Sequence, residues 1–141
     1  MRGIALDLDN TVVPWHTTAL SPAVADWVSN LRAGGVRLCL LTNNYGAQAF
    51  AVARALGIPL VKGALKPAPP AFRRALLALE TPAEKSAVIG DQLFTDVLGG
   101  KLLGMRTVLV KPIGRRELPT TKLLRLLEAP VLAKLRRCGR L

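Results

Sequence analysis

Five short apolar segments alternate along this chain with segments of helical pattern, and this alternation restricts the fold more than any other feature. The apolar segments have the length and residue types of buried strands and lie at residues 4–8, 36–41, 58–61, 86–89 and 106–110. An apolar strand of this kind is typical of a sheet that helices cover on both sides. We therefore predict an α/β fold: a doubly wound parallel sheet of five strands with right-handed crossovers.

The intervening helices are predicted from their start and stop signals. Ser21 and Pro22 supply an N-cap and a first-turn proline, and Gly57 and Gly104 supply helix ends. The predicted helices cover residues 21–33, 48–56, 70–79 and 96–103. A chain of 141 residues can bury one sizeable core, so these elements form one domain.

Four of the nine acidic residues follow two of the predicted strands: Asp7 and Asp9 the first, Asp91 and Asp96 the fourth. Doubly wound sheets bind ligands beyond the carboxyl ends of their strands, so these carboxylates should converge at one edge. Converging carboxylates repel one another unless a cation lies among them. We predict a divalent-metal site with all four as candidate ligands. Mg²⁺ is the expected cofactor because it prefers oxygen ligands.

A carboxylate beside a bound cation can attack phosphorus. We expect Asp7 to attack a phosphate monoester and form an aspartyl-phosphate, while Asp9 protonates the leaving oxygen and later deprotonates the hydrolytic water. Thr42 and Lys66 follow two other strands and are expected to bind the phosphoryl group and stabilise its transition state. Asn43 is a further candidate substrate contact. Thr42 as a turn former and Lys66 as a solvated loop residue are the alternatives.

Four segments resemble, in order, the four motifs of the haloacid dehalogenase (HAD) superfamily: Asp7-Leu8-Asp9-Asn10-Thr11, Thr42-Asn43, Lys66-Pro67, and Gly90-Asp91 with Thr95-Asp96. Residues 7–15 and 90–100 are similar to the YqeG family, a group of HAD subfamily IIIA related to mitochondrial phosphatidylglycerophosphate phosphatase. The resemblance covers residues 3–113. It implies a Rossmann-like core and magnesium-dependent phosphatase activity, with phosphatidylglycerophosphate as the leading substrate.

Two details refine this resemblance. Superfamily members that attack carbon generally lack the second aspartate, so Asp9 favours a phosphatase. Cap domains are inserted after the first motif or between the second and fourth, where this chain has room only for ordinary crossovers. The resemblance therefore implies a capless enzyme. An open site admits a lipid headgroup or a macromolecule unless a partner subunit covers it.

The last thirty or so residues form a strongly basic segment. Residues 111–141 hold nine basic and two acidic residues, a net +7 of the chain's +11. We divide the chain into a phosphatase core, residues 1–113, and a helical extension, residues 114–141, with Pro130 expected to break the helix. The extension has apolar residues at helical spacing: Leu124, Leu127, Val131 and Leu135.

Three interpretations of this extension stay open: a solvated helix whose leucines pack on the core, an amphipathic surface for anionic lipid, or a nucleic-acid contact. Nucleic acid is less favoured because the segment has no aromatic residue to stack on a base. A lipid phosphate would suit the second interpretation. The rival function is a HAD-like binding module with little turnover that joins RNA or a ribosomal assembly through this extension.

The remaining polar residues and cysteines carry weaker signals. His16 is expected to be a surface residue beside Trp15, whereas Asn44 and Gln92 could line the site or cap turns. Cys39 and Cys138 have neither metal-ligand spacing nor a disulfide pattern, which suits a reducing cytosol. No apolar run approaches a membrane span, so we expect a cytoplasmic protein with peripheral membrane contact as an option. The oligomeric state is open.

Overall fold

The computed structural model describes residues 1–114 and 119–137. Five parallel strands form one sheet, as predicted, and their order is β3-β2-β1-β4-β5. The strands are β1 Gly3–Leu6, β2 Arg37–Leu41, β3 Leu60–Val61, β4 Ser86–Gly90 and β5 Arg106–Leu109. Because β1 pairs with both β2 and β4, the two strands that precede the paired aspartates are neighbours at the centre of the sheet.

The helices follow the strands in alternation. They are α1 Pro22–Ala33, α2 Ala47–Leu56, α3 Pro69–Leu79, α4 Leu98–Leu102 and α5 Pro119–Arg137, with a 3₁₀ turn at Ala83–Lys85. Ser21 caps α1 as predicted, since its side chain accepts a hydrogen bond from Val24 N at 3.3 Å. Gly57 ends α2 in the left-handed conformation, also as predicted.

Alternate residues of the central strands divide the core into two layers. Leu6 and Leu40 face the layer that α1 and α2 cover, where they meet Val28 and Val52. Ala5 and Cys39 face the opposite layer, which is centred on Phe72 of α3. Cys39 is therefore a buried core residue, as expected, and burial raises the pKa of its thiol to about 12. Helices on both faces confirm the doubly wound α/β fold.

Two expectations about the helices are wrong. The helix predicted over residues 96–103 begins earlier, as a π-helical turn, Leu93–Val97, that continues into α4. Asp96 stabilises this turn because its carboxylate accepts from Gln92 N at 3.2 Å. Pro130 was expected to break the last helix, but α5 passes through it. A proline removes one backbone hydrogen bond, and the turns on either side keep this helix continuous.

Some expectations fall on residues that the structure does not describe: Arg115, Arg116, Glu117, Cys138 and Arg140. Across residues 1–114 and 119–137, no helix has both the length and the apolar character that crossing a bilayer requires. The helical character of the C-terminal extension is confirmed for Pro119–Arg137.

Candidate active site

The carboxyl edge of the sheet gathers polar side chains around one cavity of about 330 Å³. Asp7 directly follows β1, Thr42 directly follows β2, and Asp91 directly follows β4, so the strand ends themselves position these residues. The cavity is lined by Asp7, Asp9, Asn10, Trp15, His16, Thr42, Asn43, Asn44, Lys66, Gln92, Thr95, Thr121 and Leu124. The fourth motif lines the cavity through Gln92 and Thr95, whereas Asp91 and Asp96 do not line it but lie within 4.8 Å of the lining residue Asp7.

Three buried aspartates form the centre of the site. Asp7, Asp91 and Asp96 each offer an oxygen within 4.8 Å of the others. Lys66 lies between two of them: its Nζ donates to Asp7 Oδ1 at 2.5 Å and to Asp96 Oδ1 at 2.6 Å. The Lys66 side chain is 3% exposed, so this ammonium is held in place away from bulk water.

Two oxygens of this cluster have no hydrogen-bond donor among the described residues. They are Asp7 Oδ2 and Asp91 Oδ1, and both are buried. A buried carboxylate oxygen without a partner is costly, and a cation offsets that cost. Three buried carboxylates, two of which have an unpaired oxygen, are a donor set that fits a hard divalent cation. The residues present therefore fit the metal that the motifs imply.

The electrostatics of the cluster follow from burial and crowding. Burial raises the pKa of the Asp91 carboxyl to about 6, the charge of Asp7 adds to this effect, and the Arg125 guanidinium opposes it. Burial likewise raises the pKa of Asp96 against the opposing charge of Lys66. Burial lowers the pKa of Lys66, but the charges of Asp7 and Asp96 outweigh it, so the pKa lies above its ordinary value. Lys66 is thus a permanent cation in the site.

A glycine lets Asp96 reach the cluster. A Cβ placed on Gly90 would lie 2.2 Å from the Asp96 carboxyl carbon, much closer than any atomic contact allows. The end of β4 therefore has no room for a side chain while Asp96 points toward Lys66. This explains why the fourth strand ends in glycine directly before Asp91.

Asp9 lies in the same cavity but outside the cluster of three aspartates. Its Oδ2 accepts from Asn44 Nδ2 at 3.0 Å, and its Oδ1 accepts from His16 N at 3.3 Å. These two contacts orient the carboxylate. His16 is exposed beside Trp15, as predicted, and its ring Nδ1 lies 3.2 Å from Gln48 Oε1.

The loop after β2 connects the motifs by side-chain hydrogen bonds. Thr42 Oγ1 accepts from Asn44 N at 3.0 Å, and the threonine is 1% exposed. Asn43 Oδ1 accepts from Lys66 N at 2.7 Å, which fixes the backbone from which the lysine side chain extends. Asn44 in turn contacts Asp9. The two asparagines therefore brace other site residues besides lining the cavity.

Helix α5 contributes a group of site residues that the sequence pattern did not indicate. Arg125 forms an ion pair with Asp91, and Thr121 and Leu124 line the cavity. Glu128 is buried and accepts from Phe94 N of the π-helical turn Leu93–Val97. Helical spacing indicated that α5 would be amphipathic, but it did not indicate where the helix packs. The position of an extension beyond the last strand depends on tertiary contacts that no local pattern encodes.

The fold and the three-aspartate cluster define the class of protein as a HAD-like hydrolase. A family model described as HAD-hydrolase-like matches residues 64–120. Among solved structures, the cobalt-bound deoxy-D-mannose-octulosonate 8-phosphate phosphatase YrbI from Haemophilus influenzae has a similar fold, with a TM-score of 0.66 and 18% identity. That similarity covers 80% of this chain and 71% of the other.

Curated relatives narrow the class to a family. The "Probable phosphatase YqeG" of Bacillus subtilis (strain 168) is 37% identical over 139 residues, which cover 99% of this chain and 81% of the relative. The chloroplastic phosphatidylglycerophosphate phosphatase 1 of Chlamydomonas reinhardtii is 32% identical over 124 residues, 79% of this chain and 45% of that protein. The chain belongs to the YqeG family of HAD-superfamily phosphatases.

Proposed function

We propose that this protein is a magnesium-dependent phosphatase that hydrolyses a phosphate monoester through an aspartyl-phosphate on Asp7. The observation that carries the proposal is the surroundings of Asp7, which is 5% exposed, accepts from the Lys66 ammonium and offers an oxygen within 4.8 Å of oxygens of Asp91 and Asp96. A carboxylate in these surroundings has cationic support from Lys66 and carboxylate neighbours with which it can share a metal.

The proposed reaction has two steps, formation of an aspartyl-phosphate and its hydrolysis. An Asp7 oxygen bonds to phosphorus while the ester P–O bond breaks, and the leaving alkoxide takes a proton from Asp9. Asp9 then takes a proton from water, whose oxygen bonds to phosphorus as the bond to Asp7 breaks. Inorganic phosphate leaves and Asp7 is restored. The Asp9 contacts with Asn44 and His16 N hold the carboxylate in the cavity for both transfers.

We assign metal binding to Asp7, Asp91 and Asp96. The bound cation would neutralise charge on the phosphoryl oxygens and on the attacking carboxylate. Magnesium suits an all-oxygen donor set, which accounts for the choice of cofactor. Asp7 has two carboxylate oxygens, so one can bind the metal while the other attacks.

Thr42, Asn43 and Lys66 complete the phosphoryl site. The Lys66 ammonium would stabilise negative charge on phosphoryl oxygens in the transition state. Thr42 lies directly after β2 and lines the cavity; its hydroxyl accepts from Asn44 N and can donate its own proton to a phosphoryl oxygen. Asn43 positions Lys66 through the backbone contact at 2.7 Å.

The catalytic assignment is tested with Asp7→Asn. Asparagine keeps the shape of the side chain but cannot act as the nucleophile, so hydrolysis of an aryl phosphate with Mg²⁺ should fall by at least about 10³-fold. Asp26→Asn is the matched control, because Asp26 is exposed on α1. Comparable rates for Asp7→Asn and the wild type would contradict the mechanism.

We propose that the substrate is a lipid phosphate such as phosphatidylglycerophosphate. We also propose that the protein is cytoplasmic and makes peripheral contact with an anionic membrane. Similarity to the Chlamydomonas phosphatase supports the lipid. The lack of an inserted cap domain also supports it: from β1 to β4, one helix separates each pair of successive strands, and only a short 3₁₀ turn is added before β4. The RNA-binding alternative is not favoured, because the relatives of this chain are phosphatases.

The outer face of α5 supports the membrane contact. We define this outer face by four apolar residues that are each at least 37% exposed: Leu123, Leu126, Leu127 and Val131. Two exposed basic residues, Lys134 and Arg137, follow on the same helix. Apolar residues can enter the headgroup region, while each basic residue near an anionic surface contributes about 1 kcal/mol.

The membrane contact is tested by sedimentation with phosphatidylglycerol-containing vesicles. Replacing Leu126 and Leu127 together by Glu should reduce binding by about tenfold or more, because it puts negative charge where apolar groups would insert. Leu77→Glu is the control, since Leu77 is 77% exposed on α3. Equal binding by the double variant and the wild type would contradict the contact. So would wild-type protein that binds neutral vesicles as well as it binds vesicles containing phosphatidylglycerol.

A further inference from the structure

We define the inner face of α5 by Thr121, Leu124, Arg125 and Glu128. This face contacts the loop that carries Asp91. Arg125 forms an ion pair with the Asp91 carboxylate, and its Nη1 donates to Asp91 O at 3.1 Å. One side chain thus contacts both the backbone and the carboxylate of the same residue. Asp91 lies at the end of β4, so these contacts place α5 beside the metal-binding edge of the site.

Glu128 provides a second attachment one helical turn further on. Its Oε1 accepts from Phe94 N at 3.1 Å, and its Oε2 lies 3.8 Å from Arg125 Nη1. Glu128 is 2% exposed, which is unusual for a carboxylate on an otherwise exposed helix. A buried carboxylate with two specific partners indicates that this side of α5 has a defined seat on the core.

Two residues of the same inner face reach the cavity. Thr121 and Leu124 line it, together with Trp15 from the loop after β1. The other lining residues are mostly polar or charged, and they include Asp7 and Lys66. The cavity therefore has a charged part suited to a phosphoryl group and two large apolar side chains, Trp15 and Leu124, for a different part of a ligand.

We infer that α5 is the substrate-facing cover of this active site, and that Leu124 is a specificity-determining residue that contacts the apolar part of the leaving group. The inference rests on the proposed phosphatase activity alone and names the class of leaving group that the cavity accepts: one with apolar carbons next to the ester oxygen. In phosphatidylglycerophosphate a polar glycerol occupies that position, so a preference for apolar leaving groups would favour a different phosphate ester as the substrate. Glu128 and Arg125 are positioning residues, because they act by holding α5 in place.

The physical reason is the separation of charge and apolar surface in the cavity. A phosphoryl group needs the cations and amides at the strand ends, whereas an alkyl chain gains free energy only by leaving water. Leu124 supplies apolar contact on the helix that closes this side of the cavity. The loss of one methylene contact lowers discrimination between two substrates by about tenfold or more. The effect of truncating Leu124 on the preference for the longer ester should therefore be measurable.

The test compares n-hexyl phosphate with ethyl phosphate in Mg²⁺, by release of inorganic phosphate from the full-length protein. The two esters have leaving groups of similar acidity and differ in apolar length. The wild type should prefer hexyl phosphate. Leu124→Ala should lower kcat/KM for hexyl phosphate by about tenfold, mainly through a higher KM, and that for ethyl phosphate by less than about twofold. Leu77→Ala, on α3, should leave both values unchanged.

A second pair of variants tests whether Glu128 holds α5 in position on the core. Glu128→Ala removes the acceptor for Phe94 N and should reduce the preference for hexyl phosphate as Leu124→Ala does. Glu128→Gln retains an amide oxygen at that position and should restore most of the preference. A purely structural role for Glu128 would instead lower the rates for both esters equally.

The outcomes separate this inference from the proposed function. Turnover by the wild type with an unchanged hexyl-to-ethyl ratio in Leu124→Ala would overturn the inference alone. Equal losses for both esters would overturn it as well, since they would indicate a general disturbance of the site. A wild type that hydrolyses an aryl phosphate in Mg²⁺ but neither alkyl ester would also overturn the inference alone. A wild type that hydrolyses none of the three would overturn the proposed function, and the inference with it.

Discussion

Asp91 links the buried aspartate cluster to helix α5. It contributes to the buried aspartate cluster, keeps one oxygen without a donor among the described residues, and binds Arg125 of α5 with the other. Its sequence position after a predicted strand indicated a metal ligand. Nothing in the sequence indicated the arginine, because Arg125 lies 34 residues further along the chain.

The raised pKa of Asp91 predicts how the stability of the metal-free protein depends on pH. Its pKa moves from an ordinary 3.8 to about 6, so between these values the folded state binds more protons than the unfolded state. The free energy of unfolding should therefore fall as pH rises across this range, by on the order of 2 kcal/mol. Urea unfolding in EDTA at a series of pH values measures this effect.

Asp91→Asn should reduce that slope, because asparagine does not titrate; the remainder comes from Asp96, whose pKa is raised as well. Asp26→Asn, on the exposed side of α1, should retain it. A slope that is identical in wild type and Asp91→Asn would show that the carboxyl does not titrate in this range.

The sequence predicts some helices and strands of this fold more accurately than others. The strands that precede Asp7, Thr42 and Asp91 are recognisable because each is a short apolar run before a polar residue. The π-helical turn Leu93–Val97 is not, since it depends on the Asp96 carboxylate reaching Gln92 N across a glycine without a side chain. Helix boundaries predicted from caps agree well where the cap is local, as at Ser21 and Gly57.

Helix α5 allows a prediction at the same scale. Pro130 is exposed inside this helix and has no backbone N–H to donate. Pro130→Ala should stabilise the protein by about 1–3 kcal/mol if α5 unfolds together with the core. Thermal unfolding followed by circular dichroism measures the change. Pro22→Ala is the contrasting variant: a proline in the first turn suits a helix, so no gain is expected there. A gain at Pro22 and none at Pro130 would contradict this account of α5.

At the scale of the whole molecule, the sheet and the basic extension have separate tasks in our account. The carboxyl edge of the sheet holds the phosphoryl chemistry, while α5 lies over that edge with its inner residues and exposes leucines on its outer face. The division into residues 1–113 and 114–141 stays a prediction. The contacts of Arg125 and Glu128 make α5 part of the site, whatever its independence in folding.

Overall topology was predictable because the alternation of strands and helices permits few parallel arrangements. The convergence of Asp7, Lys66, Asp91 and Asp96 followed from that topology, since all lie beyond strand ends. The hydrogen bonds and ion pairs among these side chains did not follow from the topology. Which oxygen Lys66 contacts, and which oxygens stay unpaired, depends on packing distances that spacing along the chain does not contain.

The central claim is that Asp7 is the nucleophile, and its most direct test is chemical trapping of the phosphoenzyme. The protein is mixed with excess aryl phosphate and Mg²⁺, quenched in acid during turnover, and reduced with borohydride, which converts an aspartyl-phosphate to homoserine. Peptide mass spectrometry then locates the modification. Our account predicts homoserine at position 7 and none at position 9, 91 or 96. Trapped phosphoenzyme carrying homoserine at another of these positions, with residue 7 recovered as unmodified aspartate, would contradict it.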